Sequence, residues 1–170
     1  LNLSVALRVR DLCAFLGVDT VMTRDTEEIT YPSEAKTIAA MKKWDTRRRV
    51  EIAESVDSPV FLSIHQNIYP SSGPHGSQVL YAQNEPSRAL AELIQSRLTA
   101  ALLPENRRVP VPAGKDIYIM SHVQCTAVLV ECGFLSHPQE LSLLQSADYQ
   151  KKIASVLTAC YLQFTEKGVL

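Results

Sequence analysis

The chain has 170 residues, 46% of them hydrophobic and 21% charged, a balance that suits one globular domain with a core of its own. Seventeen Lys and Arg stand against 18 Asp and Glu, for a formal net charge of -1. The densest basic cluster is Arg47, Arg48 and Arg49. This argues against nucleic acid as a partner, and no apolar run approaches the ~20 residues of a membrane-spanning helix.

The chain opens without a Met and without the charged and apolar regions of a secretory signal. Leu1, Val5, Val9, Leu12, Cys13 and Leu16 recur at helical spacing, so the chain starts inside a helix, and Gly17 is its C-terminal cap. Residues 18–23 (VDTVMT) read as a short strand leading to Arg24 and Asp25. A polar excursion over 26–44 holds a short helix announced by Pro32-Ser33, and a second helix follows over about 45–56.

Residues 59–64 (PVFLSI) form an apolar run of strand length, read as a buried strand that delivers His65, Gln66 and Asn67 at its end. The Pro-, Ser- and Gly-rich residues 70–76 are a loop, and 77–82 resume as a strand. The clearest helix covers 86–103, where Leu90, Leu93, Ile94, Leu98 and Leu102 make a stripe broken only by Arg97. Pro104, Pro110, Pro112 and Gly114 mark a loop, 116–120 and 126–130 read as strands, and Tyr149 to Phe164 give a closing helix. Cys13, Cys125, Cys132 and Cys160 lie in apolar stretches without CxxC spacing and read as buried thiols.

Strands alternating with helices predict an α/β fold: a three-layer sandwich with a mainly parallel sheet flanked by helices. Ligands of such sheets bind beyond the carboxyl ends of the strands. Two predicted strands end in reactive groups, one at His65 and one at Glu131. A neutral imidazole at such an end can hold zinc, or be a plain structural histidine. Asn67, two residues on, can orient that histidine or cap the loop. A carboxylate closing the apolar run 127–130 is desolvated, which raises its pKa toward the range useful for proton transfer; capping or ion pairing is the plainer reading. Together the two suit a metal-bound water with a carboxylate base, although zinc takes three protein ligands. Among the other histidines, His75 reads as solvated, His122 as able to face the cleft and His137 as a helix cap. Cys132 reads as packed and inert, and salt bridges account for Arg24 and Arg49.

Met22-Thr23-Arg24-Asp25, Arg49-Val50-x-Ile52-Ala53, Ser63-Ile64-His65-x-Asn67 and Val128 to Ser136 (VLVECGFLS) occur in that order. In combination they resemble the zinc-dependent N-acetylmuramoyl-L-alanine amidases of the amidase-3 type, from residue 1 to about 165. Lys36-Thr37-Ile38, Ile117 to His122 and Phe164 to Gly168 resemble the germination-specific branch found in spore-forming bacteria. The resemblance implies one Zn2+ held by two histidines and a glutamate, with a second glutamate as catalytic base. His65 matches a metal histidine, Glu131 the catalytic glutamate, and Asn67 is assigned to substrate binding. The family's first strand, its Asp-x-Gly-His-Gly-Gly turn and its metal glutamate would precede Leu1, so residues 1–170 are expected to form a single catalytic domain without them. His137 stands where the family usually has Asn.

The implied reaction is hydrolysis of the amide between N-acetylmuramic acid and L-alanine of peptidoglycan, outside the cytoplasm in the cell wall or spore cortex. The implied partners are the stem peptide and glycan, with an unidentified activating protein. Two other readings stay open: a non-catalytic wall-binding or regulatory module derived from an amidase, and a thiol hydrolase built on Cys132.

Overall fold

The computed structural model describes residues 1–166; Lys167 and Gly168 of the C-terminal resemblance lie outside them. The elements in chain order are α1 (Asn2–Phe15), α2 (Ile38–Glu54), β1 (Val60–Asn67), β2 (Gln78–Tyr81), α3 (Glu85–Leu102), β3 (Val111–Pro112), α4 (Tyr118–His122), β4 (Thr126–Phe134), α5 (Pro138–Gln145) and α6 (Ala147–Glu166). The strands form one sheet in the order β1-β4-β2-β3. β1 pairs with β4 and β2 with β3 in parallel, whereas β2 runs antiparallel to β4. The expected mainly parallel α/β sandwich is therefore present, with one reversal in the middle of the sheet.

Period-two alternation along the strands sorts the core into two layers. Val128, Val130 and Cys132 of β4 face one cluster with Val79 and the inward residues of α1, α3 and α6, among them Val5, Leu90 and Leu157. Ala127 and Leu129 face the other, with Val50 and Ala53 of α2, Met120 of α4, Phe61 and Leu80. β4 is covered on both faces and its first five residues are all buried, which explains its unbroken apolar run. Buried polar groups tie α3 to the sheet. Ser87 Oγ accepts from Ala127 N at 2.8 Å, and the Gln95 amide accepts from Val79 N and donates to Ser77 O.

Three expected elements differ. Residues 18–23 run without pairing to any described strand, so their alternation yields extended chain and no ladder. The two helices expected over 26–56 are one, α2, which starts only at Ile38, after Thr37, whose hydroxyl accepts from Ala40 N at 3.1 Å as its cap. Residues 116–120 form a turn and the first residues of the short helix α4, which starts at Tyr118, instead of a strand; Met120 packs on α2's side of the sheet, and its apolar neighbours mimic a strand pattern. Gly17 does close α1, at φ 74°.

β1 forms an outer edge of the sheet. Beside it runs an open apolar groove of about 450 Å³, lined by Val9 and Cys13 of α1, Val18 to Val21 and Thr23, Ile52 and Ala53 of α2, and Val60 to Leu62.

Candidate active site

β1 and β4 end side by side. Their parallel register places His65 opposite Glu131, and the antiparallel register of β2 places Gln78 against Glu131 from the other flank. Adjacent strands lie about 4.8 Å apart, so the three side chains form a row across the carboxyl rim. All three share the face of Phe61, Leu129 and Leu80, the face covered by α2 and α4. The imidazole and carboxylate expected to converge therefore do so. A bulge after His65 ends regular pairing, and Asn67 faces Phe134 beyond it.

Glu131 is half-buried, and loss of hydration pushes its pKa from 4.5 up to about 7. Its Oε2 is shielded from solvent and has no hydrogen-bond partner among the described residues. A desolvated carboxylate with a free lone pair is suited to take a proton from a substrate water. His65 titrates below its ordinary value, first through burial, then through the charges of Arg49 and Arg24. It is thus a neutral imidazole, the form that ligates metal or accepts a hydrogen bond. Arg49 is itself held by Asp45 at 3.0 Å, and Arg24 donates to Thr26 O at 3.0 Å. The Asn67 carboxamide accepts from Ile68 N at 2.8 Å, capping the loop that follows.

Of the remaining candidates, His122 lies away from this rim, whereas His75 and His137 sit on the loop and helix start that border it, their rings 5.2 Å apart. His122 ends α4, ahead of the first residues of β4 and so at the opposite end of the strand from Glu131; its ring stacks on Tyr118 at 3.7 Å. His75 is exposed, as expected, with its Nδ1 2.9 Å from Gly73 O. His137 caps α5 by accepting from Glu140 N. The Cys132 thiol points to the other face, and burial, then the Glu131 charge, push its pKa up to about 12. A thiol so far from its thiolate is no nucleophile, which removes the thiol-hydrolase reading. All four cysteines are free.

Two functional neighbours escape sequence reasoning. Gln78 begins a strand with no chemical signature; its carboxamide accepts from Arg108 at 3.1 Å and donates to Val109 O, so it flanks Glu131 in a fixed pose. Glu140 lies in the first turn of α5 and is buried; its two oxygens accept from Gly76 N and Phe134 N, both at 2.8 Å. It thereby pins the 70–76 loop to the strand end that carries Glu131. The only advance signal for Glu140 is its place three residues after the cap His137, where an acid normally serves its own helix.

Among the described residues, no three His, Cys, Asp or Glu side chains converge to hold a metal. His65, a neutral imidazole, suits a metal ligand, but one imidazole does not complete a site.

Residues 1–160 match the family model described as N-acetylmuramoyl-L-alanine amidase. The germination-specific N-acetylmuramoyl-L-alanine amidase of Bacillus subtilis is 36% identical over 172 residues, covering 98% of this chain and 70% of that protein. The amidase LytC of the same organism is 31% identical over 159 residues, 92% of this chain but 29% of LytC. In structure, the CwlD amidase of Clostridioides difficile, solved in complex with the GerS lipoprotein, superposes with a TM-score of 0.91 at 30% identity, over 96% of this chain and 84% of that one. The rim geometry thus belongs to a fold shared with cell-wall amidases, and the chain is a member of the N-acetylmuramoyl-L-alanine amidase family.

Proposed function

We propose that residues 1–170 act as one catalytic domain that hydrolyses the amide between N-acetylmuramic acid and L-alanine in peptidoglycan, with Glu131 as the general base. The observation that carries this reading is the pairing of Glu131, desolvated and titrating near 7, with the neutral His65 on one face of the carboxyl rim. Glu131 takes a proton from the attacking water at its unpartnered Oε2 and returns it to the leaving amine of alanine. Gln78 and the Glu140-pinned loop hold the flanks of that carboxylate. Asn67 offers its amide N–H to a substrate carbonyl, because its oxygen is already engaged by Ile68.

Zinc, implied by the family resemblance, enters as part of the proposal. His65, opposite Glu131 on the neighbouring strand, is the imidazole that would hold it, and the metal would polarise the scissile carbonyl. The described residues do not complete a coordination set, so no step is routed through the ion. The site of action is extracytoplasmic, in cell wall or spore cortex, as the names of the relatives support. No helix among the described residues is long and apolar enough to cross a membrane. The complex of CwlD with a lipoprotein supports an activating protein partner here too.

Release of free alanine amino groups from peptidoglycan tests the reaction. Glu131→Gln is expected to slow it by about 10²–10⁴-fold; an unchanged rate rejects Glu131 as the base. Zinc retained by the chain and lost in His65→Ala supports the ligand role, whereas equal retention removes it.

A further inference from the structure

The chain is close to neutral, yet its charge is unevenly placed. Six of its 17 Lys and Arg fall within residues 36–49, against a single acid, Asp45. That one acid is occupied by Arg49. The others, Lys36, Lys42, Lys43, Arg47 and Arg48, are exposed. Arg48 is weakly paired with Glu51 at 3.3 Å. Between them lies a shallow depression of about 310 Å³, bordered by Ala40, Lys43, Trp44, Arg47 and Arg48 and by one acid, Glu51, which is engaged by Arg48. Trp44 is half-buried, its ring set edge-on against Tyr31 at 5.7 Å, which gives the depression a fixed apolar side.

This arrangement works against the helix that carries it. Lys43 and Arg47 are four residues apart on one face, a like-charge spacing that destabilises a helix. Both are exposed and neither has an acidic partner within salt-bridge distance among the described residues. An external anion would offset that repulsion.

The position of the ledge is also specific. The five residues 55–59 turn the chain from the end of α2 into the start of β1, so α2 runs back beside the strand toward its carboxyl end. Val50 and Ala53 pack with Phe61 near the start of β1, so Lys43 and Trp44, nearly two helical turns before Val50, lie farther toward the end of the strand that carries His65. α2 covers the same face of the sheet that carries His65 and Glu131.

We propose that the Lys43–Trp44–Arg47 ledge of α2 is a substrate subsite that holds free carboxylates of the peptidoglycan stem peptide while its first amide lies at Glu131. The inference rests on the amidase reading and deepens it. Charge complementarity selects this occupant. The scissile amide uses the amino end of the stem peptide, so the peptide leads away from the sugar and ends in carboxylate. Two exposed cations beside an indole wall fit a flexible anionic peptide, and the attraction is screened by salt.

The test is co-sedimentation of the whole chain with purified peptidoglycan stripped of phosphate polymers. The probe is compared in its native form and with its carboxyl groups converted to amides. The double variant Lys43→Ala/Arg47→Ala is expected to bind about tenfold more weakly than the parent, with a flatter salt dependence. Lys151→Ala/Lys152→Ala, an equal charge loss on α6, is expected to bind as the parent does. Amidation of the probe is expected to remove the difference between parent and ledge variant. Equal binding by parent and ledge variant, or binding seen only when phosphate polymer is left on the wall, overturns the subsite. Circular dichroism of the ledge variant guards against misfolding, and relief of the like-charge pair is expected to leave its Tm unchanged or higher. Glu131→Gln, run alongside, separates the two readings. It is expected to bind normally without hydrolysis, and full hydrolysis by it would reject the base while leaving the ledge standing.

Discussion

Glu131 shows how one side chain can trade stability for chemistry. Its carboxyl group titrates near 7 in the folded chain and near 4.5 when solvated. Between those values the folded state holds a proton that the unfolded state has lost, so stability falls as pH rises through that window. The group is partly exposed, and screening reduces the penalty to about 1–2 kcal/mol. Glu131→Gln is therefore expected to raise Tm at pH 8 and to leave it nearly unchanged at pH 4; equal shifts at both would contradict the desolvation account. Glu140 is the opposite case, a buried acid whose oxygens are both engaged. Glu140→Ala leaves Gly76 N and Phe134 N without partners and is expected to cost at least about 2 kcal/mol by denaturant titration. Gly76 itself has φ 88°, and an added Cβ would meet Asn106 Oδ1 at 2.6 Å. Gly76→Ala is accordingly expected to cost about 1–3 kcal/mol and to loosen the loop over the rim. Of these residues, His65 and Glu131 were legible in the sequence because each ends an apolar run. Glu140 and Gln78 were not, because their partners are backbone and side-chain groups remote in the chain.

At the scale of elements, sequence and structure agree where local pattern and burial coincide. α3 carries its stripe, with Leu90, Ile94 and Leu98 at 2% exposure or less, and β4 carries its apolar run. They part where pairing or packing decides. Residues 18–23 have the composition of a strand but no described strand beside them, and a strand is defined by its neighbour. Residues 116–120 have apolar character suited to either state, and contact with α2 settles 118–120 as helix. α3 offers a further check. Asn84 caps it by accepting from Ser87 N at 2.9 Å and also donates to Cys125 O at 3.2 Å, joining the helix start to the segment entering β4. Asn84→Ala is expected to destabilise the protein by about 1–2 kcal/mol. Ser87→Ala, which strands the buried Ala127 N, is expected to cost about as much by the same thermal measurement.

For the molecule as a whole, the single reversal between β4 and β2 brings the ends of β1 and β4 and the start of β2 to one rim. The loop over 70–76, the bulge at the end of β1 and the start of α5 all meet there, within reach of Glu131. Periodicity could announce the layers of this fold but not that meeting, since strand order is written in long-range contacts. The apolar groove beside β1 sets a different property of the native state. A well-packed domain gives little signal with an environment-sensitive dye such as anilinonaphthalene sulfonate, which brightens on partly folded chains. Here the hollow lined by Val9, Ile52, Val60 and Leu62 should brighten the dye while the protein is fully native. Thr20, exposed on the same lining, gives the control: Thr20→Trp is expected to crowd the hollow and dim the fluorescence without lowering Tm.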